Sequence, residues 1–386
     1  MTRKKIAVVT GSRAEFGILH WVIADIRDDP ELELALLVTG SHLEAAHGNT
    51  VSEIEEAGFP VAARVPIDLY DDSTEGIARS MGLCLTGMVK AFSETAPDIV
   101  MMLGDRFEIF AAAQAAMLQR VPIAHIAGGD VTEGAIDDAM RHSITKMAHL
   151  HFATHAESAE RIAAMGEQPD RISVTGSPAL DHLHRTPLLD RKALEESLDA
   201  TLGTRNFLVT FHPVTLERDF GIGQLENLLS VLDARIEPDD KVWITRSNAD
   251  TGGKDINTRL DEWCHARADA HIYTSLGQSR YFSLLATVDA AIGNSSSGLY
   301  EAPSFGTPTV NIGNRQGGRL VANSVFSCEP DSKSINAALT CALAFDRASA
   351  YNPYGDGRSS ARIVSALKEA PPSNELLHKR FFRGQS

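Results

Sequence analysis

Short apolar runs that break off in a glycine or a small polar residue recur along this chain: KKIAVVTGSR from Lys4, LELALLVTG from Leu32, DIVMMLGDR from Asp98 and VPIAHIAGGD from Val121. Such runs read as strands covered on both faces, and their abrupt ends as turns into helices. Between them lie longer segments with apolar residues at helical spacing, at 15 to 29, 74 to 95 and 106 to 120. Strand and helix alternate without hairpin signals, which predicts an α/β chain whose parallel sheet is wrapped by helices.

After Gly176 the texture changes. Residues 181 to 205 are rich in charge, contain Pro187 and hold no strong strand, which predicts a crossing into a second domain. A new series starts at NFLVTFHP from Asn206 and continues through KVWITRSNAD from Lys241 and DAAIGNSSSG from Asp289 to TPTVNIGNRQGG from Thr307. A length of 386 residues suits two domains better than one core. The expectation is two Rossmann-like, doubly wound domains, 1 to 180 and 181 to 359, with a ligand cleft between the carboxyl ends of their sheets. The basic tail from His378 to Arg383 is expected to be poorly ordered.

Composition narrows the function classes. No apolar run approaches the ~20 residues of a membrane span, and the apolar stretch after Arg3, Lys4 and Lys5 is too short for a secretory signal. A cytoplasmic location follows as the expectation. The formal charge of -15 argues against nucleic acid as a partner. Cys84, Cys264, Cys328 and Cys341 form no Cys-x-x-Cys pair, so neither a zinc site nor a redox motif is expected.

Each polar cluster of interest falls just after an expected strand. GNSSSGLYEAPSFGTP from Gly293 lacks the Lys and following Ser/Thr of a P-loop, and it misses the Gly-x-Ser-x-Gly of a nucleophile elbow because position 297 is Ser297. TGSRAEFG, Thr10 to Gly17, is not a dinucleotide fingerprint, yet a glycine turn opening a helix offers backbone N–H groups to an anion, and Arg13 adds a fork of donors. LGDRFE sets Asp105 beside Arg106; a helix N-cap would explain the Asp without explaining the Arg. HIAGGDVTEGAIDDAMRHSITKMAHLHF from His125 supplies Asp130, Glu133, Asp137 and Asp138. Crowded carboxylates of this kind can push one pKa upward and keep an acid beside a base. Its histidines lack His-Glu-x-x-His spacing, so no metal is expected. FHPVT places His212 at a strand end, RSNADTGG places Arg246 and Asn248 at the next, and NRQGGR adds Arg315 and Arg319.

Taken together, Arg13, Arg106, Arg315, His212 and the serines form an anion-binding side, and the carboxylates a second side. A pyrophosphate beside a neutral sugar fits that division. Glu301, about one helical turn past the serines, suits a ribose diol. The residues themselves lead to a nucleotide-sugar site and stop short of the reaction.

TGSRAEFG, LGDRFEIF, HIAGGDVTEGAIDDAMRHSITKMAHLHF, FHPVT, SNADTGG, GNSSSGLYEAPSFGTPTVNIGNRQGGR and the terminal YNPYGDG, in this order, resemble the UDP-N-acetylglucosamine 2-epimerases, most of all their hydrolysing, sialic-acid-pathway branch. The resemblance implies a GT-B fold, with a last helix of about 360 to 386 packed back on the first domain, and a homodimer or homotetramer. It implies conversion of UDP-N-acetylglucosamine and water to UDP and N-acetylmannosamine through a 2-acetamidoglucal, with no cofactor. By motif match Arg13, Gly17, Arg106, His212, Asn248, Ser295, Ser296, Glu301 and Arg315 would bind UDP. Asp105 and Asp137 fall on the family's catalytic carboxylates, and His212 is a further acid/base candidate. Many members carry Glu after His-Ile, where this chain has Ala127; Asp130, or else Glu133, is expected to take over that duty. Rival expectations are a hydrolysing epimerase of UDP-2,4-diacetamido-2,4,6-trideoxyglucose on the route to legionaminic acid, a GT-B glycosyltransferase, and a binding protein without turnover.

Overall fold

The computed structural model describes residues 3–44, 49–71, 73–132, 136–214, 217–247, 252–274 and 276–383. The chain divides into two compact units, Met1–His182 with Tyr354–Ser386, and Leu183–Pro353.

The first unit holds one parallel sheet of seven strands among the described residues, ordered β3-β2-β1-β4-β5-β6-β7. They are β1 Lys4–Thr10, β2 Leu32–Thr39, β3 Val61–Val65, β4 Ile99–Leu103, β5 Ile123–Ile126, β6 Leu150–Ala153 and β7 Ile172–Val174. β1 pairs with β2 on one side and β4 on the other, so the winding direction reverses there. Every residue of β4 and β5 is buried, as the unbroken apolar runs require of strands covered on both faces. One face packs Leu19, Val22, Ile23 and Ile26 of the helix Arg13–Asp28 with Ile363, Val364 and Leu367 of the helix Ser359–Glu369. The other face packs Cys84, Met88 and Phe92 of the helix Thr74–Thr95 with Ile109, Ala112 and Ala116 of the helix Phe107–Leu118.

Local chemistry sets where these helices begin. Ser12 caps the first through its Oγ, which accepts from Glu15 N at 3.3 Å, and Ser73 caps the third by accepting from Gly76 N at 3.1 Å. The returning helix is capped from a distance in sequence: the buried Asp181 carboxylate accepts the N–H groups of Ser359 at 2.7 Å and Ser360 at 2.5 Å.

The basic tail corrects an expectation. Lys379 donates to the carbonyls of Lys146 at 2.7 Å and Ala148 at 2.6 Å and pairs with Glu167 at 2.7 Å, while Phe382 N–H donates to Gly166 O at 2.9 Å. Lys146 and His151 converge on the same Glu167 carboxylate at 2.5 and 3.1 Å. Burial opposes the charge of Glu167, yet the hydrogen bonds from His151, Lys146 and Lys379 outweigh it and pull the carboxyl down to about 2. Basic composition suggested a solvated tail; a buried acid makes it part of the fold.

The second unit holds a six-stranded parallel sheet among the described residues, ordered β10-β9-β8-β11-β12-β13. Its strands are β8 Asn206–Thr210, β9 Lys241–Thr245, β10 Ala270–Tyr273, β11 Ala290–Gly293, β12 Thr309–Ile312 and β13 Val325–Cys328. The reversal here lies between β8 and β11. Phe207, Leu228, Leu232, Ile244 and Ile335 form one core, and Leu208, Trp243, Leu284 and Leu285 the other. No described helix is long and apolar enough to cross a membrane.

Candidate active site

In an open α/β sheet, ligands bind beyond the carboxyl ends of the strands where the winding reverses. In the first unit those ends carry Gly11, Ser12 and Arg13 after β1, and Gly104, Asp105 and Arg106 after β4. Asp105 is not an N-cap: the helix starts at Phe107, Arg106 holds the cap position, and no side chain caps it. Instead Asp105 Oδ2 accepts a hydrogen bond from Arg141, whose side chain is only 9 % exposed. His125, fully buried in β5, joins Gly104 O at 2.8 Å to Thr145 Oγ1 at 3.2 Å, which ties the turn before Asp105 to the next helix. Burial drives the His125 imidazole down to about 4, so it is neutral.

The glycine-rich loop after β5 is fixed as closely. Ala127 has φ +61° and Gly129 φ +76°; a Cβ on Gly129 would lie 2.4 Å from Ser158 O, so only glycine allows this approach. Asp130 is thereby set against the following strand and helix, where its Oδ1 accepts from Thr154 Oγ1 at 2.7 Å and Ser158 Oγ at 2.5 Å, with His155 Nε2 at 3.5 Å. Its backbone carbonyl accepts from Arg141 at 3.0 Å. Arg141 thus connects Asp105 to the Asp130 loop. Asp138 Oδ1 accepts from Thr132 N at 2.8 Å and lies 3.5 Å from Arg141, a loop-holding role. Asp137 lies half-buried on the helix Ile136–Met147; burial opposes the charge of Arg106, but Glu108 above all, then Glu15 and Asp137, raise its pKa. Glu133 lies outside the described residues.

Arg106 Nε donates to the buried Glu108 at 2.6 Å. Arg13 is exposed and pairs with Glu53 at 3.2 Å, a surface contact of small worth that leaves it free to turn to an anion. Gly17 sits inside the helix that Arg13 opens, with its carbonyl accepting from His182 at 2.9 Å and, beyond the backbone of its own helix, nothing described within 4 Å of where a Cβ would stand.

In the second unit, β8 and β11 are linked by a residue the sequence did not single out. The side chain of Asn294, fully buried, accepts from His212 N at 2.7 Å and donates to His212 O at 2.8 Å, while its own carbonyl accepts from Gln316 at 2.8 Å and Arg315 at 3.3 Å. One asparagine therefore fixes the backbone of His212 and the side chain of Arg315. Its only sequence signal was its place directly after the glycine that ends β11. Arg246 forks onto Asp261 at 2.6 and 2.5 Å, and Asn248 lies outside the described residues.

The serine run opens only a single helical turn, Ser297–Tyr300. Ser296 is the N-cap but makes no side-chain cap bond, and Ser295 Oγ accepts from Ser297 N at 3.4 Å. So short a turn has little macrodipole, and any anion there depends on individual hydroxyl and N–H donors. Ser297, without a role in the sequence reading, links Tyr281 to Glu301: its Oγ accepts from Tyr281 at 2.7 Å and hydrogen-bonds the Glu301 carboxyl. Burial pushes Glu301 up to about 7, and its Oε2 is buried with no hydrogen-bond partner among the described residues. An acceptor held in that way suits a hydroxyl from a ligand. Among the described residues, no group of three or more His, Cys, Asp or Glu is placed to hold a metal ion.

Residues 24–368 match the UDP-N-acetylglucosamine 2-epimerase family. The chain belongs to that family. This epimerase is 37% identical over 330 residues to the GDP/UDP-N,N'-diacetylbacillosamine 2-epimerase (hydrolyzing) of Campylobacter jejuni, covering 85% of each chain. It is 33% identical to the UDP-N,N'-diacetylbacillosamine 2-epimerase (hydrolyzing) of Legionella pneumophila, covering 97% of this chain and 98% of that one. Identity to the UDP-N-acetylglucosamine 2-epimerase of Neisseria meningitidis is 30%, over 98% of each chain. A crystal structure of UDP-GlcNAc 2-epimerase from Neisseria meningitidis bound to UDP-GlcNAc superposes with a TM-score of 0.79 at 18% identity, over 95% of this chain and all of that one. The fold is GT-B, built from two Rossmann-like parallel sheets.

Proposed function

We propose that the epimerase is a hydrolysing 2-epimerase of a nucleotide-linked 2,4-diacetamido-2,4,6-trideoxyglucose, releasing UDP and the corresponding manno sugar. The observation that carries the choice of sugar is that the relatives at 37% and 33% identity are named for N,N'-diacetylbacillosamine, which is this diacetamido sugar, against 30% for the relative named for UDP-N-acetylglucosamine. The plain sugar, first in the sequence reading, therefore takes second place. Ala127 supports the same choice, because a methyl group where many family members carry Glu suits a 6-deoxy sugar better than a charge would.

In this reading a base removes the C2 proton while the C1–O bond to UDP breaks, leaving a glycal, and water then adds to its double bond with inversion at C2. Asp105 and Asp137 are the carboxylates assigned to proton transfer. Asp130 takes the duty of the absent Glu, since Thr154 and Ser158 hold one of its oxygens, Oδ1, in a fixed orientation. Arg106, Arg13, His212, Ser295, Ser296 and Arg315 hold the diphosphate, and Glu301 accepts the ribose hydroxyls.

Incubating the protein in D2O with UDP-diacetamidotrideoxyglucose, its GDP counterpart and UDP-N-acetylglucosamine, without acceptor or NAD, tests the reading. Nucleotide release with C2-deuterated product from the diacetamido sugar alone is expected. Turnover confined to UDP-N-acetylglucosamine restores the first reading, and product without deuterium removes proton abstraction from the mechanism.

A further inference from the structure

Glu15 and Glu108 have no part in those proton transfers, yet their carboxyl groups bracket the backbone of Gly11 at the end of β1. Glu15 Oε2 accepts the Gly11 N–H at 2.7 Å. On the other side, a Cβ at Gly11 would stand 2.6 Å from Glu108 Oε1 and 2.7 Å from its Cγ, so position 11 must be glycine for Glu108 to lie there. Glu15 is 7% exposed and Glu108 is fully buried. Among the described residues, one buried oxygen of each has no hydrogen-bond partner, Oε1 of Glu15 and Oε2 of Glu108. The cation bonded here is Arg106, whose Nε reaches Glu108 Oε1 at 2.6 Å.

Two buried carboxyl groups beside one guanidinium cannot both ionise without leaving an uncompensated charge in a medium of low dielectric. A proton retained on one of them leaves one carboxylate to balance Arg106. We propose that Glu15 keeps a proton beside Glu108 and that the two act as positioning residues for Arg106, holding its guanidinium at the end of β4 for the diphosphate and setting the alkaline limit of nucleotide affinity. The role rests on the reading of the site as one for a nucleotide sugar.

Glu15 is the partner that keeps the proton: burial, then the charge of Glu108, pushes it up to about 8. The other titratable groups around this strand end are Arg106, Asp137, Cys84 and His42. Arg106 balances the pair, Asp137 acts on Arg106, and Cys84 lies against Glu108 with its thiol driven up to about 12, so it stays neutral. His42, hydrogen-bonded to Thr10 and Thr50, is driven down to about 4 by burial and is neutral as well. When the pair loses its proton, the strand end gains a negative charge and repels a diphosphate.

The test is calorimetric titration of the full chain with UDP from about pH 7 to about pH 9, in two buffers of unlike ionisation heat. Affinity is expected to fall by up to about tenfold per unit above about pH 8, with about one proton taken up per UDP bound. Glu15→Gln should flatten that dependence, because the group that carries the proton is gone, whereas Glu108→Gln should move it to lower pH without abolishing it, since burial still acts on Glu15. A Glu15→Gln protein with the unchanged alkaline decline overturns the proposal. So does binding by the unaltered chain with a flat profile and no proton uptake, a measurement that stands even where the variants do not fold. UDP that fails to bind at every pH overturns the nucleotide reading instead.

Discussion

Arg141 holds Asp105 by a side-chain ion pair and Asp130 by its backbone carbonyl, so one guanidinium sets the spacing between two proposed acid/base carboxylates. Lysine keeps the charge and loses the fork. Arg141→Lys is expected to lower kcat by about a hundredfold while UDP affinity changes little, because proton-transfer geometry and not nucleotide contact is lost. Steady-state kinetics with a parallel UDP titration separates the two; a loss confined to KM would place Arg141 in binding.

Asp130→Asn preserves the acceptor oxygen used by Thr154 and Ser158 and removes the capacity to exchange a proton. Turnover should fall by about 10²–10⁴-fold with UDP binding retained. Full turnover would transfer the duty of the absent Glu to another group, Glu133 first.

Glu301 provides an acidic limit to complement the alkaline one at Glu15. Its carboxyl, raised to about 7 by burial, is protonated below that pH and then accepts ribose hydroxyls less well. UDP affinity should weaken as pH falls through about 7, and Glu301→Gln should bind UDP weakly at every pH with that limb gone. The sign for stability is opposite: a raised acid stabilises the fold below its unfolded pKa, and the contribution is lost as pH rises through about 7. Thermal melts at about pH 5 and about pH 8 should therefore show Glu301→Gln gaining on the unaltered protein at the higher pH.

Glu167 behaves in the reverse sense. Its carboxyl, held down at about 2, stabilises the fold above its unfolded pKa and loses that contribution as pH falls through about 2. Glu167→Gln leaves Lys146 and Lys379 without their shared acid and should cost about 3–5 kcal/mol. Denaturant unfolding at neutral pH reads the loss, and the acid limb of the stability profile should flatten in the variant.

Asn294→Asp tests the link between β8 and β11. The acceptor facing His212 N–H survives, but an oxygen replaces the donor that faced His212 O. The repulsion should lower stability by about 1–3 kcal/mol and raise KM, by displacing His212 and Arg315 together. An unchanged KM would separate those residues from the nucleotide.

The central strands were legible because a strand covered on both faces must be apolar throughout, as IVMML of β4 is. Edge strands gave no such signal: β3, VAARV, exposes two of its five residues, and β10, AHIY, buries none of its four fully. In the site, the strand-end clusters were visible as motifs, whereas their partners were not. Arg141 lies 36 residues from Asp105, inside a quoted motif but with no spacing that marks it, and Asn294 looks like any polar residue after a glycine. Ser297 gained its role only when the fold brought Tyr281 beside it. Periodicity records which face is buried; it does not record which buried polar groups meet.

The helix Ser359–Glu369 completes the first unit, with Asp181 capping its start and its apolar face filling the core beside Leu19 and Val22. The ribosome therefore releases all of the second unit, Leu183–Pro353, before the first has the residues it needs to close. During synthesis the continuous, later-made unit can therefore finish before the earlier one, which waits with the apolar surface for its last helix uncovered, a period in which a chaperone has something to bind.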